Sequence, residues 1–318
     1  MLSLVQGQNK AVAFLQRVAC GNYTSPLLLV GSNGIGRRFS VTCLARQMFC
    51  TGDHTETCVC LHCTQMQHKM HRDFLVVQAE SGKEIGIDAA REVVSVASSY
   101  PVLAPVRIIL IDGADHLSSA AANALLKTIE EPSKHIRFFL TANSLEGVLP
   151  TIRSRCGVVP YNALPEEFVL AMLQGIESSP EKATALARLA EGSAGQALEF
   201  WTAKRLKLRD SAIALLQESA SGNFRQIFSL VDSFEEDLRL GLRFLLAVLR
   251  DLLVLEQNAQ DRLVNVDAVE ALQALHSKLP LAKVERLCLG LQALASRQRS
   301  TGINLPFHLK TLLATTFV

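Results

Sequence analysis

Strong net charge of either sign is missing from this sequence of 318 residues. Its 32 Lys and Arg residues are nearly balanced by 30 Asp and Glu residues, which leaves a net charge of +2. Such a balance argues against a protein that binds nucleic acid mainly through its own net charge. Charged residues make up only 19% of the chain and hydrophobic residues 49%, which excludes a disordered or highly charged, tail-like protein.

Long apolar runs are also absent. The most apolar stretch, 241–255, is interrupted by Arg243, Arg250 and Asp251, and it is shorter than the roughly 20 residues that span a bilayer. The first residues lack the basic start, the continuous apolar run and the cleavage site of a secretory signal. Eight cysteines are too few for a disulfide scaffold in a chain of this length. We therefore expect a cytoplasmic protein of two or three domains.

The first half of the chain alternates strand and helix patterns. Apolar residues recur with helical spacing at 41–48 and again at 122–129, where Ser118 or Ser119 can cap the helix and Pro132 closes it. Strands that alternate with helices predict a mostly parallel sheet covered on both faces. Short apolar runs predict the strands at Leu27–Val30, Phe74–Val77, Arg107–Ile111, Arg137–Thr141 and Gly157–Pro160.

After about Pro165 the strand patterns stop. Residues 165–203 predict short helices around a glycine-serine break at 192–195, and residues 204–318 are helical in pattern. Glu235, Glu236 and Asp237 precede one of these helices, where acidic groups favour a helix N-terminus. We therefore predict three domains: an α/β domain over 1–164, a small helical domain over 165–203 and a helical C-terminal domain over 204–318.

A glycine-rich loop directly follows the first predicted strand. Residues 31–38 read GSNGIGRR, and a strand, a glycine loop and a helix in that order make a phosphate cradle of backbone N–H groups. The full pattern is G-x-x-x-x-G-K-[ST]. Arg37 replaces the lysine that reaches the phosphates, and Arg38 replaces the hydroxyl that holds Mg²⁺. We interpret the loop as retained and its catalysis as lost, with a glycine turn kept only for packing as the alternative.

The acidic end of a later strand has the same kind of defect. Residues 108–115 read IILIDGAD. This segment resembles the apolar run followed by Asp and Glu in nucleotide hydrolases, where the Asp helps to hold Mg²⁺ and the Glu polarises the attacking water. Asp112 is present, but Gly113 stands in place of the glutamate. Because glycine cannot polarise water, two independent defects in one site indicate a role without hydrolysis.

Two longer motifs also lie in the first half. Residues 121–132 read AANALLKTIEEP, and residues 149–156 read LPTIRSRC. Both resemble the bacterial clamp-loader subunits of the AAA+ family, the gamma/tau and delta-prime chains of DNA polymerase III. The resemblance covers the first half and the turn at 192–198. It implies an α/β AAA+ domain, which is a RecA-like parallel sheet with helices on both faces, followed by a helical lid and an all-α collar domain.

Departures from the motor subunits of this family favour the non-hydrolysing, delta-prime type. Motor subunits look like G-x-x-G-x-G-K-T, D-E-A-D and a G-S-x-R turn, whereas this chain has arginines at 37 and 38, Gly113, and Gly195 in place of the last arginine. The resemblance therefore implies a degenerate nucleotide site at which ATP binding is not expected. Its residues are Gly31, Gly34, Gly36, Arg37 and Asp112.

The motif Ser154-Arg155-Cys156 is intact. In the family this arginine points across the subunit boundary to the γ-phosphate of ATP on a neighbouring motor subunit, so the resemblance implies that Arg155 is an arginine finger in trans. A guanidinium supplied by a neighbour stabilises charge on the transferring phosphoryl group. The alternatives are a plain surface arginine and the nearby Arg153. Cys156 is interpreted as a small packed residue.

Four of the cysteines cluster within fourteen residues, at Cys50, Cys58, Cys60 and Cys63. Four thiolates at short spacings suit tetrahedral Zn²⁺ and leave no open position, which predicts a structural zinc site. The clamp-loader family carries a similar insertion of the form C-x8-C-x2-C-x2-C, and this chain lacks one residue between the second and third cysteines. His54 or His62 could therefore replace one thiolate.

The resemblance also implies partners. These are motor subunits (gamma/tau) and a delta subunit in a hetero-pentameric ring that opens the sliding clamp and places it on primer-template DNA. The chain would be a stator, a non-catalytic subunit of a DNA-directed DNA polymerase holoenzyme and not an ATPase by itself. Two alternatives remain open: a weakly active clamp-loader ATPase in which Arg37 replaces the lysine, and a zinc-containing module that binds nucleic acid directly.

Overall fold

The computed structural model describes residues 1–21, 23–80, 83–234, 237–297 and 304–317. They form two compact units: an α/β unit, Met1–Phe168 with Ser193–Gly195, and a helical unit, Val169–Gly192 with Gln196–Val318. The division into three domains stays a prediction. In these ranges, no helix combines the length and the apolar character needed to cross a membrane.

The α/β unit is built on a five-stranded sheet in which every pairing is parallel. The strand order is β2-β3-β4-β1-β5. All five predicted strands are confirmed, three of them one or two residues longer than the apolar runs. The strands are Leu27–Val30 (β1), Phe74–Gln78 (β2), Arg107–Asp112 (β3), Ile136–Ala142 (β4) and Gly157–Pro160 (β5).

Helices account for most of the remaining regular structure. The first six are Asn9–Cys20 (α1), Arg37–Phe49 (α2), Leu61–Gln67 (α3), Ile87–Ala97 (α4), Ser119–Glu130 (α5) and Pro150–Arg153 (α6). The later nine are Glu166–Gln174 (α7), Pro180–Leu189 (α8), Ala194–Phe200 (α9), Ala203–Ala220 (α10), Phe224–Asp232 (α11), Leu238–Glu256 (α12), Val269–Lys278 (α13), Leu281–Arg297 (α14) and Leu305–Phe317 (α15).

Both faces of the sheet are buried, because successive side chains of a strand point to opposite faces. In β1, Leu27 and Leu29 join one apolar cluster with residues of α1 and α2. Leu28 joins a second cluster with residues of α4 and α5. The apolar strands are therefore buried on both sides, as expected for a parallel sheet between helical layers.

Two of the predicted helix starts are confirmed by their capping bonds. The Ser118 hydroxyl accepts a hydrogen bond from the backbone N–H of Ala121 at 3.2 Å, so Ser118 caps α5. In the helical unit, a carboxylate oxygen of Asp237 accepts from the backbone N–H of Leu240 at 3.2 Å and caps α12. Glu235 and Glu236, included in the same prediction, lie outside the described residues.

A buried ion pair anchors the loop between α4 and β3. The Asp73 carboxylate is fully buried and accepts backbone N–H bonds from residues 102, 103 and 104 at 2.7–2.9 Å. Arg107 lies 3.2 Å from the same carboxylate and also donates to the Tyr100 carbonyl at 2.9 Å. Burial by itself would raise the pKa of Asp73, but the three backbone donors and Arg107 lower it below its ordinary value.

We expect Asp73→Ala to destabilise the α/β unit by about 3–5 kcal/mol, because it leaves a buried guanidinium and three N–H groups without their acceptor. Since the folded-state pKa of Asp73 is depressed, its stabilisation is present above the unfolded-state value near 4 and is lost as the pH falls through the folded-state value. Urea unfolding measures both effects when it is followed by circular dichroism. Tryptophan fluorescence is less suitable, because the single tryptophan, Trp201, lies in the helical unit.

Asp88→Ala is the matched control for this experiment. Asp88 pairs with Arg91 at 3.3 Å, but its side chain is 93% exposed, so its loss is expected to change the free energy of unfolding by about 0.5 kcal/mol or less. Equal effects of the two substitutions would contradict the anchoring role of Asp73.

The apolar stretch 241–255 lies within α12, in the helical unit. Eleven of its nineteen residues are buried, including Asp251. The Asp251 carboxylate accepts from the backbone N–H groups of Val264 and Asn265 and from the Asn265 side chain, all at 2.8 Å. The charge that interrupts the apolar pattern is therefore fully hydrogen-bonded inside the fold.

Candidate functional site

The glycine loop lies at the carboxyl end of β1, where it turns directly into α2. Gly34 and Gly36 have φ values of 78° and 98°, in the left-handed region that favours glycine. The backbone N–H of Gly31 donates to the Ala142 carbonyl at 3.1 Å, which ties the loop to the end of β4. The predicted sequence of strand, glycine loop and helix is therefore present.

Arg37 is the first residue of α2 and is buried, with 8% of the residue exposed. Its guanidinium donates to the backbone carbonyl of Ala142 and, at 3.0 Å, to the side-chain oxygen of Asn143. Burial lowers the pKa of Arg37, while Asp112 and Asp115 act in the opposite direction. Both ends of the guanidinium fork are therefore bonded within the protein, at the place where the phosphate-loop lysine would reach a ligand.

Arg38 and Asp112 form an ion pair across the same edge of the sheet. Their closest N and O atoms are 3.2 Å apart, and Arg38 also donates to Gln78. The second carboxylate oxygen of Asp112 accepts from the Thr141 hydroxyl at 2.7 Å. The carboxylate that would hold Mg²⁺ in a hydrolase is thus paired with a guanidinium from the loop helix.

The segment Ser193–Gly195 lies against the glycine loop. The Ser193 hydroxyl donates to the Asn33 carbonyl and the Gly195 N–H donates to the Gly34 carbonyl, both at 2.8 Å. A Cβ atom added to Gly195 would lie 2.8 Å from the Gly34 Cα, closer than real Cβ contacts allow. In this arrangement no side chain fits at 195, where motor subunits of the resembled family have an arginine.

Asn143 and the role of Asp115 were not predicted from the sequence. A carboxylate oxygen of Asp115 accepts from both the backbone and the side-chain N–H groups of Asn143, at 3.0 and 2.9 Å. Asn143 directly follows β4, as Asp112 ends the neighbouring β3. Because carboxyl ends of parallel strands meet at one edge of a sheet, a polar residue just after a predicted strand was the available signal.

Arg155 lies on the surface between α6 and β5, on other elements than the glycine loop. Its guanidinium bonds to Glu130 at 2.9 Å and to the Thr151 carbonyl at 3.1 Å, and its side chain is 31% exposed. Arg153 is exposed and, within the ranges that the structure describes, its side chain makes no hydrogen bond or ion pair. Burial raises the pKa of Cys156 to about 12, which suits a packed thiol and not a nucleophile.

The four clustered cysteines come together in space. Their sulphur atoms all lie within 4.8 Å of one another, and the four residues could hold a metal ion. Cys50 Sγ is 3.6 Å from Cys58 Sγ and 3.9 Å from Cys60 Sγ. Four sulphurs at Zn–S distances of about 2.3 Å lie about 3.8 Å apart at the corners of a tetrahedron, whereas a disulfide requires about 2.05 Å. The spacing therefore fits a metal site and excludes a disulfide between these atoms.

The local structure explains how these cysteines, which are close in the sequence, come together in space. Cys60 is the residue just before α3, and Cys63 lies in the first turn of this helix. The backbone of Cys63 at this helix start lowers the pKa of Cys60 to about 5, whereas burial raises the pKa of Cys63 to about 12. A Cβ atom on Gly52 would lie 2.6 Å from Cys58 Sγ, so a side chain at that position would displace this sulphur.

Neither histidine that the sequence analysis kept as an alternative ligand belongs to this cluster. The His62 ring is buried and bonds to the His71 ring, with Nδ1 and Nε2 2.9 Å apart. His71 in turn stacks on Phe49 at the end of α2, with ring centroids 4.4 Å apart. His62 therefore links α3 to the α/β core, and His54 is exposed.

Comparison with known families places these features in context. The family model described as "DNA polymerase III, delta subunit" matches residues 7–165, which is half of the chain, and the model of the delta subunit's C-terminal region matches residues 203–315. The chain belongs to the DNA polymerase III delta subunit family.

Among the relatives of this chain is the DNA polymerase III subunit delta' of Escherichia coli K12. It is 29% identical over 293 residues, which are 90% of this chain and 87% of that protein. The gamma/tau subunit of Mycobacterium tuberculosis H37Rv is 33% identical over 175 residues, 54% of this chain and 30% of that protein. The resemblance to a clamp-loader subunit of the delta-prime type is therefore confirmed.

A solved structure agrees with the fold class. The crystal structure of a DNA polymerase III, gamma subunit-related protein from Thermotoga maritima covers 96% of this chain and 98% of its own, with a TM-score of 0.51 and 17% identity. At that identity the likeness concerns the fold alone. With the parallel sheet and the helical C-terminal region, the expected AAA+ fold class is confirmed.

Proposed function

We propose that this chain is a non-hydrolysing stator of the clamp loader that supplies Arg155 in trans to the ATPase site of a neighbouring subunit. One observation carries this proposal. The Arg37 guanidinium is buried and bonded to Ala142 and Asn143, and Arg38 is paired with the carboxylate that would hold Mg²⁺. Arg155 lies on separate elements, is partly exposed, and bonds to the protein through three of its five N–H groups. The chain thus combines a nucleotide site whose arginines are bonded to the protein with a partly exposed Arg155 guanidinium.

The loop network argues against hydrolysis in cis. Arg38 neutralises Asp112, and a second positive charge there opposes a magnesium ion. Residue 113 is a glycine with φ 99°, so this position has no side chain that could polarise water. Gly31, Gly34, Gly36, Arg37 and Asp112 therefore form a degenerate nucleotide site that we propose is non-functional.

The proposed partners follow from the family. We infer a hetero-pentameric ring with gamma/tau motor subunits and a delta subunit, in which the collar residues 204–318 join neighbouring chains and residues 165–203 form the lid. The ring would open the sliding clamp and place it on primer-template DNA.

For the cysteine cluster we propose Zn²⁺, held by Cys50, Cys58, Cys60 and Cys63 in a structural role, since four protein ligands leave no coordination position open.

Reconstitution tests the function. We expect a loader assembled from motor subunits, delta and this chain to place the clamp on primed DNA, and a mixture without this chain to lose that activity. The isolated chain should bind labelled ATP with a dissociation constant above the millimolar range. It should hydrolyse no ATP above the background. Magnesium-dependent hydrolysis by the isolated chain would instead support the weak ATPase, and salt-dependent DNA binding by the isolated chain would support the nucleic-acid-binding module.

A further inference from the structure

We infer that Glu130 is a positioning residue that fixes the Arg155 guanidinium in the orientation required to reach a neighbour's ATP. The inference rests on the proposed function, because it assigns a second residue to the same site. Glu130 is the last residue of α5, in the motif at 121–132, and Arg155 lies in the motif at 149–156. The ion pair therefore joins the two motifs that carry the family resemblance.

The contacts involve all three nitrogens of the guanidinium. Arg155 Nε and Nη2 both donate to Glu130 Oε2 at 2.9 Å, and Nη1 donates to the Thr151 carbonyl at 3.1 Å. These three bonds come from two different elements, α5 and α6. A guanidinium held from two elements has one orientation, in contrast to an arginine that extends freely into solvent.

The remaining donors are those that a phosphate would use. A guanidinium carries five N–H groups, and the bonds to Glu130 and Thr151 take three of them. One N–H remains on Nη1 and one on Nη2, and each can donate to a phosphate oxygen. With 31% of its side chain exposed, Arg155 can present these donors to another molecule.

The pair is better explained by orientation than by stability. Glu130 is 55% exposed, and an ion pair at such a site contributes little to folding. Orientation has a larger effect, because a misplaced catalytic group costs up to about 100-fold in rate. If Glu130 instead held Arg155 away from its target, removal of Glu130 would raise the rate of ATP hydrolysis. The direction of the rate change therefore distinguishes a positioning role from an inhibitory one.

The experiment is single-turnover ATP hydrolysis by the reconstituted loader with clamp and primed DNA. In Glu130→Ala, we expect the ATP at the site next to this chain to be hydrolysed about 10- to 100-fold more slowly, with ATP affinity unchanged. Glu130→Gln keeps an oxygen acceptor for Arg155 and should lose less. Glu131→Ala is the matched control, since this exposed neighbour makes no side-chain hydrogen bond or ion pair within the described chain.

A double variant separates this inference from the function on which it rests. If Glu130 acts through Arg155, then Glu130→Ala combined with Arg155→Ala equals Arg155→Ala alone. A large effect of Arg155→Ala together with an unchanged or faster rate in Glu130→Ala overturns only the positioning role. If Arg155→Ala itself has no effect in an assembled ring, the proposed function fails first. Equal melting temperatures of all variants exclude a folding defect.

Discussion

Arg155→Ala is expected to remove one ATP per loader from the burst of hydrolysis that follows binding of the clamp and primed DNA. An arginine supplied in trans accounts for about 10³- to 10⁵-fold in the rate of phosphoryl transfer. The ATP at the site next to this chain would therefore persist on the timescale at which the other sites react. Clamp loading should fall with it, while assembly of the ring stays intact because Arg155 is a surface residue.

Two variants make this test specific. Arg155→Lys keeps the charge but not the planar fork, so we expect it to restore only a small part of the rate. Arg153→Ala alters an exposed arginine two residues away and is expected to leave the burst unchanged. Gel filtration of each ring with equal stoichiometry is the control for assembly. A full burst with Arg155→Ala, or a lost burst with Arg153→Ala, would refute the role assigned to Arg155.

Removal of the metal from the cysteine cluster is expected to have the second large effect. We expect one Zn²⁺ per chain, and binding of a structural zinc contributes about 10–16 kcal/mol at neutral pH in small zinc domains. Residues 50–63 bury few apolar side chains apart from the cysteines, so we expect their fold to depend on the metal. A chelator should therefore unfold this segment and lower the melting temperature of the α/β unit, by about 2–4 °C for each kcal/mol that the unit loses.

Cysteine variants identify the ligands. Cys63→Ser replaces a fully buried thiol and is expected to abolish stoichiometric metal binding, as measured by elemental analysis. Cys20→Ser replaces an exposed cysteine outside the cluster and should retain the metal. Substitution by Co²⁺ reports the donor atoms, because four thiolates give intense charge-transfer absorption. Retention of one metal ion in Cys63→Ser, or weak absorption typical of nitrogen ligands, would contradict the four-cysteine site.

Local patterns were enough for the fold of the α/β unit. Runs of apolar residues at β1 and β3 have no other stable location than the interior of a parallel sheet, and Ser118 caps α5 through a bond three residues away. Both depend on neighbours in the chain, so the sequence predicts them. The clustering of Cys50, Cys58, Cys60 and Cys63 was predictable for the same reason.

The partners of charged side chains were not predictable. Asp251 looked like an interruption of an apolar helix, but it is buried and bonded to residues 264 and 265. Asn143 lies in no motif, and Glu130 lies in a motif that gave it no role of its own. Each owes its role to a contact with a residue 25 or more positions away, Asp115 for Asn143 and Arg155 for Glu130. No periodicity reports such contacts.

The sequence by itself determined the family, the strands of the sheet and the loss of the lysine, the hydroxyl and the glutamate from the nucleotide site. These are properties of residue type and of spacing along the chain. Only the tertiary structure decided what replaces them: Arg37 bonded to Ala142 and Asn143, Arg38 paired with Asp112, and Glu130 beside Arg155. The reason is physical, because a guanidinium is bound by whichever acceptors the fold brings within about 3 Å, and the fold draws them from different strands and helices.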